Sequence, residues 1–397
     1  MFVYKNKILF IFFDLVKKVL IFLFPFFLFS QTSDRVITTG VPFLLITPDA
    51  RAAGMGELGV ATSADAFSQQ WNPAKYVFTD SNSGLGISYT PYLSQLVDDI
   101  FLGNLTYYKQ ISERSSWAGS LKYFSLGDIQ FNEIIGGSIV DQGVQRPNEL
   151  TLDVSYALKL SKKISMSVGG RFIRSDLKIS MEADATSANS LGVDIAGFYN
   201  SDLFDFSNNS ARLRMGFNIS NIGPRLKYDE GGQMNFIPTN LRLGSGFDIL
   251  FDDNNLLGIH FEASKLLVPS PVATYNDENE FLGYKQPDIN FLTGIFRSFN
   301  DAPDGIQEEL KEITWALGLE YLFNKTIAFR TGYFNESEEK GSRRYITLGT
   351  GFVLNFTKID ISYLFSTSRI RNPLENTLRF SLTFDINSNK SDSLIED

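Results

Sequence analysis

The chain has no cysteine and a single histidine, His260. No disulfide, thiol nucleophile, thiolate metal site or multi-histidine metal centre can be built from it. Positive charge is in deficit: 36 Lys and Arg against 45 Asp and Glu leave a net charge of −9, the wrong sign for a nucleic-acid partner. Beyond residue 30 no run of about 18 apolar residues occurs, which excludes a bundle of membrane-spanning helices. What is abundant is aromatic or small: 36 Phe, 16 Tyr, 3 Trp and 31 Gly. That aromatic content excludes intrinsic disorder, yet mean hydropathy is only −0.06. Apolar residues are therefore interleaved with polar ones. A length of 397 residues then suits one large closed β-structure.

Residues 1–30 form an address. Lys5, Lys7, Lys17 and Lys18 accompany an apolar stretch from Val19 to Phe29 that ends at Ser30-Gln31. The stretch has the length of a signal-peptide core and is too short to span a bilayer as a helix. Export by a Sec-type signal peptide is expected. Leu28 is larger than the small residue usual at that place before a cleavage site, so an uncleaved anchor is the alternative. No cysteine follows, which excludes lipoprotein processing.

From Leu85 onward the apolar period is two. Leu150, Leu152, Val154, Tyr156, Leu158 and Leu160 alternate with Thr151, Asp153, Ser155, Ala157 and Lys159; Leu378, Phe380, Leu382, Phe384 and Ile386 do the same. Marking every such segment predicts about fourteen strands, most of about 10–13 residues, long enough to cross a membrane when tilted. An even count is what single-chain bacterial outer-membrane barrels have. The predicted connections alternate between about one to four residues and about 8 to 46 residues, with 201–210 as the one overlong turn on the short side. Charge is segregated by parity. Asp153, Arg171, Asp194, Arg214, Arg242, Asp248, Glu262, Glu320, Arg330, Asp360 and Arg379 all fall on the face opposite the apolar one. A charge facing lipid at the midplane costs roughly 2–4 kcal/mol, whereas a lumen can pair it. The expected fold is therefore all-β, a 14-stranded antiparallel transmembrane barrel over 83–386, with 31–82 as an N-terminal plug and 387–397 as a polar periplasmic tail. Arginine is expected to be refused at Leu152, Leu319 and Leu382 and better tolerated at the inward positions Ser155, Gly318 and Ser381.

Residues 40–82 lack the alternation. Within them Gly54-Met55-Gly56-Glu57-Leu58-Gly59 matches the dinucleotide fingerprint G-x-G-x-x-G. That fingerprint works only between a strand and a helix of a βαβ unit, and no such alternation follows. Small residues that let a plug approach a wall explain it better.

The block Gly40–Phe78, ending in Asn72-Pro73-Ala74, resembles the hatch of the FadL-type outer-membrane family, which implies a fourteen-stranded barrel with a plug. The runs Thr47-Pro48-Asp49-Ala50-Arg51 and Ala64-Asp65-Ala66-Phe67-Ser68 are similar to one branch of it, the PorV barrels of the Bacteroidota type IX secretion system. This resemblance implies a non-enzymatic protein that accompanies a large outer-membrane translocon. It further implies capture of exported cargo by its C-terminal signal domain and delivery to a sortase-like attachment complex. The alternative is a passive channel for hydrophobic small molecules, as in the better-known FadL relatives. No cofactor and no metal is expected, and the lipid of the outer membrane is the surrounding partner.

The longest predicted loop, 267–312, holds nine acids, among them Asp277, Glu278 and Glu280, against three basic residues. Ile289, Leu292, Phe296 and Phe299 recur at the spacing of one helical face, and Phe291 lies between them. Loop 127–148 is likewise apolar, with Ile134 and Ile135. Apolar side chains flanked by charge suggest a protein-contact surface; a face folded over the barrel mouth is the other reading. A Ser–His–carboxylate site from Ser264, His260 and Glu262 is disfavoured, because alternate residues on one strand stand side by side about 6.5 Å apart per step.

Overall fold

The structure, a computed structural model, describes residues 35–94, 97–135, 138–177, 187–228, 233–368 and 375–388. The expected signal peptide and the tail beyond Ser388 lie outside the described residues. Fourteen strands build the wall: β1 (Ser81–Pro91), β2 (Ile100–Ser112), β3 (Ser115–Leu126), β4 (Asn148–Lys159), β5 (Ile164–Asp176), β6 (Ala188–Asn200) and β7 (Asn209–Ile222) make up one half. The other half is β8 (Asn240–Leu250), β9 (Leu256–Leu266), β10 (Ile313–Phe323), β11 (Ile327–Asn335), β12 (Arg344–Leu354), β13 (Thr357–Ser366) and β14 (Leu378–Ser388). Each pairs antiparallel with its chain neighbours, and β1 pairs with β14 (Ile87 opposite Leu382), so the sheet closes on itself. Closure leaves no unpaired edge, which is the condition for β-structure in lipid.

Alternation decides which way each side chain points. Along β4, Thr151, Asp153, Ser155 and Ala157 are buried while Leu152, Val154, Tyr156 and Leu158 are exposed. On β10 and β14 the outward Leu317, Leu319, Phe380 and Leu382 are likewise exposed. The expected charge segregation holds: Asp153, Arg171, Asp194, Arg214, Asp248, Glu320, Arg330, Asp360 and Arg379 are all buried inside. Most neutralise one another, and Arg379 pairs with Glu57 of the inner segment. Arg171 bridges Asp153 and Asp194, Arg214 pairs with Asp248, and Arg330 lies 2.7 Å from both Glu320 and Asp360.

One rim carries short turns and the other long loops. The β10–β11 turn has both Asn324 and Lys325 at positive φ, the conformation that two-residue hairpin turns require to match strand twist. The overlong 201–210 connection resolves as an added short strand, Phe204–Phe206, pairing back onto Asn209–Ala211. Its aromatic rings rest on Phe247 at 5.1 and 6.1 Å. Two loops hold hairpins that alternation did not indicate, Ile129–Ile135 with Ser138–Gln145 and Val272–Tyr275 with Phe281–Lys285.

The interior is not open. Residues 40–79 lie inside the wall as short helical turns, with Pro42–Leu45, Ala50–Ala53, Ser68–Trp71 and Pro73–Phe78 joined by tight connections. This corrects the expectation for arginine at Ser155, Gly318 and Ser381. The Ser155 hydroxyl donates to Gln69, Ser381 accepts from the Ala50 amide, and a β-carbon at Gly318 would meet the Met55 carbonyl at 2.6 Å. At these three positions the inner segment is packed against the wall and leaves no room for a guanidinium.

Candidate functional site

The inner segment is held by hydrogen bonds that the sequence motif supplies. Asp49 caps the turn Ala50–Ala53 by accepting from the Ala52 amide (2.8 Å), and its other oxygen accepts from the Trp71 indole (2.8 Å). Burial, together with the neighbouring Asp65 charge, pushes Asp49 up to about 6. Arg51 forks across Glu320 of β10 (3.0 and 2.7 Å) and also reaches Asp65 (2.7 Å) and Ser63. Asn72 donates to the carbonyls of Val60 and Gly197 and caps Ala74. Pro73, which offers no amide hydrogen, opens the next turn, where its missing donor costs nothing. Ser165 of β5 closes the end by donating to the Ala74 carbonyl at 2.6 Å.

Gly54 and Gly56 meet glycines of the wall. A β-carbon on Gly54 would sit 3.0 Å from the Gly349 α-carbon, and Gly56 stands at φ +79° against the Tyr333 backbone. The fingerprint-like spacing is thus a close-approach device and not a phosphate cradle. Its complement escaped the sequence reading: Gly216, Gly244, Gly246, Gly318, Gly332 and Gly349 all face the inner segment. Glycine on the inward parity of five strands was the signal that could have found it.

At the long-loop rim, loop 267–312 is folded, not free. Its acids divide into two groups. Glu308, Glu309 and Glu312 are buried and paired with Lys340 and Lys265. Asp288 pairs with Arg225, and Asp301 accepts from the Ser270 amide. Burial drives Asp301 up to about 6. Burial also pushes Glu309 up, but the Ala302 amide and Lys265 outweigh it and hold the group below its ordinary value. Asp277, Glu278 and Glu280 remain exposed on the tip of the second hairpin, where Asn276 accepts from the Glu278 and Glu280 amides.

The expected helix is present as Phe291–Arg297, with Ile289 and Phe299 flanking it. It seats itself through Gly294, whose missing side chain leaves room for Phe236 and Pro269. Phe296 is 77% exposed, and Leu292 and Phe299 are also exposed, while Phe291 is half-buried. A second exposed apolar pair, Ile306 and Leu310, sits one turn apart on the helix Ile306–Lys311. It was missed because a two-residue repeat is too short to register. Ile134 and Ile135 lie at the tip of the first hairpin, and their side chains lie outside the described residues.

Between the inner segment and β8–β11 is a cavity of about 440 Å³ whose lining includes Val36, Leu45, Arg242, Glu262 and Phe334. His260 is buried deeper in the wall, and the Ser264 hydroxyl bonds to Thr314.

Residues 29–273 match the family described as type IX secretion system protein PorV. The chain belongs to that family. Membership makes it an outer-membrane barrel component of type IX secretion. Among solved structures it is similar to the TodX deltaS2S3 mutant monoaromatic hydrocarbon channel, with a TM-score of 0.51 and 13% identity over 85% of this chain and 98% of that one. It is equally similar to the P. putida toluene transporter TodX (TM-score 0.51, 13% identity, 86% of this chain and 99% of that one). At that identity the likeness is one of fold. No curated protein matches the chain in sequence.

Proposed function

We propose that this PorV-family barrel is a non-enzymatic adaptor. In this reading its long loops bind the translocon and the C-terminal signal domain of cargo, and cargo is then passed to the attachment complex. The observation that carries this is the exposure of Leu292 and Phe296 on the helix Phe291–Arg297 and of Phe299 just after it, in the same loop as the exposed acids Asp277 and Glu278. Apolar side chains leaving water would supply contact free energy, while the acids orient a partner and suppress wrong ones. Residues 31–82 serve as the plug, and the dense bonding of 40–79 to the wall supports that role.

The test is to shorten loops 127–148 and 267–312, confirm barrel assembly by heat-modifiability, and measure cargo at the cell surface. Wild-type export and retention with both loops shortened would sink the reading. The cavity beside Arg242 and the fold shared with TodX favour a second one, a passive channel for hydrophobic small molecules. Loss of growth on such molecules in the same cells would put the channel in its place.

A further inference from the structure

Arg242 of β8 is 8% exposed, and its guanidinium lies over the Trp71 ring at 4.6 Å. It makes no hydrogen bond among the described residues: Nη1 is buried without a partner, and the Glu262 carboxylate is 3.9 Å from Nε. Glu262 is itself engaged by the Gly59 and Val60 amides at 2.8 and 2.9 Å. An unsatisfied buried donor costs about 1–3 kcal/mol, more when it is charged, so such a group calls for a partner. Arg242 lines the cavity of about 440 Å³, a size within the roughly 300–1,000 Å³ of ligand sites. The other cations of that lining are taken. Arg343 pairs with Glu336 at 2.8 Å, and Lys340 with Glu308 and Glu312 at 2.6 and 3.1 Å. The acids are taken too, Glu57 by Arg379 and Glu312 also by Lys265. Among the described residues, Arg242 is the lining cation whose donors are free.

Four successive residues of the arm that precedes the inner segment, Val36–Thr39, line the same cavity. Exposure alternates along them: Val36 and Thr38 are exposed, Ile37 and Thr39 half-buried, the pattern of an extended segment. Lys340 and Gln286 hold the arm in place by donating to the Arg35 and Thr38 carbonyls. The four amides of Val36–Thr39 have no hydrogen-bond partner among the described residues. An extended segment with free amides is a template for a further strand.

We infer that this cavity takes the carboxyl-terminal end of an extended polypeptide, with the chain-end carboxylate on Arg242 and the backbone along Val36–Thr39. Lys340 and Gly341, in the loop between β11 and β12, line the cavity as well. That puts it on the long-loop side, which faces outward in outer-membrane barrels. A carboxylate matches the fork of a guanidinium, an added strand uses the free amides of the arm, and Leu45, Leu266 and Phe334 receive an apolar last side chain. About four residues of peptide match the length of the arm. The inference deepens the adaptor reading and rests on it for the arrival of such a chain.

The probe is the fluorescein-labelled hexapeptide Ser-Thr-Val-Thr-Val-Leu, offered to the purified barrel in detergent as free acid and as carboxamide, with anisotropy as the readout. The acid should bind at least about tenfold more tightly than the amide, the effect of one hydrogen bond to a charged group. Arg242→Gln should bind the two alike, with heat-modifiability confirming a folded barrel. Should R242Q not assemble, the wild-type chain decides: a benzophenone three residues from the end of the acid peptide should crosslink to Val36–Thr39. Equal binding of acid and amide by the wild-type barrel, or crosslinks confined to 267–312, overturn the proposal. Saturable binding of decanoate with no binding of either peptide also overturns it and hands the cavity to small carboxylates. Failure with the peptides leaves the exposed loop surface, and with it the adaptor reading, standing. Export that survives loop shortening removes the adaptor reading and leaves the peptide result as measured.

Discussion

Gly56 and Gly332 face each other so closely that a β-carbon on Gly332 would lie 2.1 Å from the Gly56 amide nitrogen. Neither the wall nor the inner segment can give way there, because the obstructing atoms are backbone. Gly332→Ala should therefore cost at least the 1–3 kcal/mol of an overpacked core (roughly, by analogy with soluble proteins). Gly170, on the outward face of β5 with nothing within 4 Å of a built β-carbon, is the control. The midpoint of heat-modifiability should fall for G332A and stay put for G170A.

Removing a charge from the Arg51–Glu320–Arg330 chain leaves buried charge without its partner. Glu320→Gln should destabilise by about 3–5 kcal/mol, the usual cost of breaking a buried pair. Arg51→Lys should not preserve stability, since an ammonium cannot fork across the Glu320 carboxylate and reach Asp65 as well. Thermal unfolding in detergent reads both, and wild-type midpoints would refute the assignment.

These two sites also show what was legible in the sequence. The wall was, because a period of two carries its own inside–outside assignment: Leu152 and Asp153 declare opposite faces without any partner being known. The inner segment was legible only as an exception to that period. Its bonding was not, since Arg51 reaches Glu320 across 269 positions of sequence. The loop helix was found by its 3.6 spacing, whereas the split of its acids was not. Glu309 and Glu278 look alike until Lys265 is seen beside one of them.

The outward face gives a third prediction. Leu152→Arg should impair insertion by roughly 2–4 kcal/mol near the midplane, whereas Leu152→Phe should be neutral. Equal recovery of folded barrel from outer membranes for both would show that Leu152 does not meet lipid.

The loop acids predict a two-sided pH response. Asp301 is raised to about 6 by burial, so the folded loop favours its protonated form, and that stability is lost as pH rises from the ordinary Asp range through about 6. Burial raises Glu308 and Glu309 too, but Lys340, Lys265 and backbone amides hold both below the ordinary value. Their contribution is present above the ordinary Glu range and is lost as pH falls through the lowered value. Protease resistance of loop 267–312 should accordingly rise from neutral pH toward 5 and fall again in stronger acid. Asp301→Asn should abolish the first limb and leave the second.

Phe296 and Phe299 are exposed, so replacing both with Ala should leave barrel stability unchanged and speed dissociation from a cargo signal domain. Charge reversal at Asp277, Glu278 and Glu280 should instead slow association and flatten its salt dependence. Surface-plasmon measurements on detergent-solubilised barrel separate the two rates. A pair of variants that alters neither would remove these residues from the interface.

The antiparallel seam between β1 and β14 sets a rule of counting for any descendant of this chain. Gaining or losing a single strand would bring the two seam strands side by side pointing the same way and carry one terminus to the opposite rim. Only whole hairpins can be added or deleted while Ser81 and Ser388 still meet. Variation in girth among such barrels must therefore come in twos.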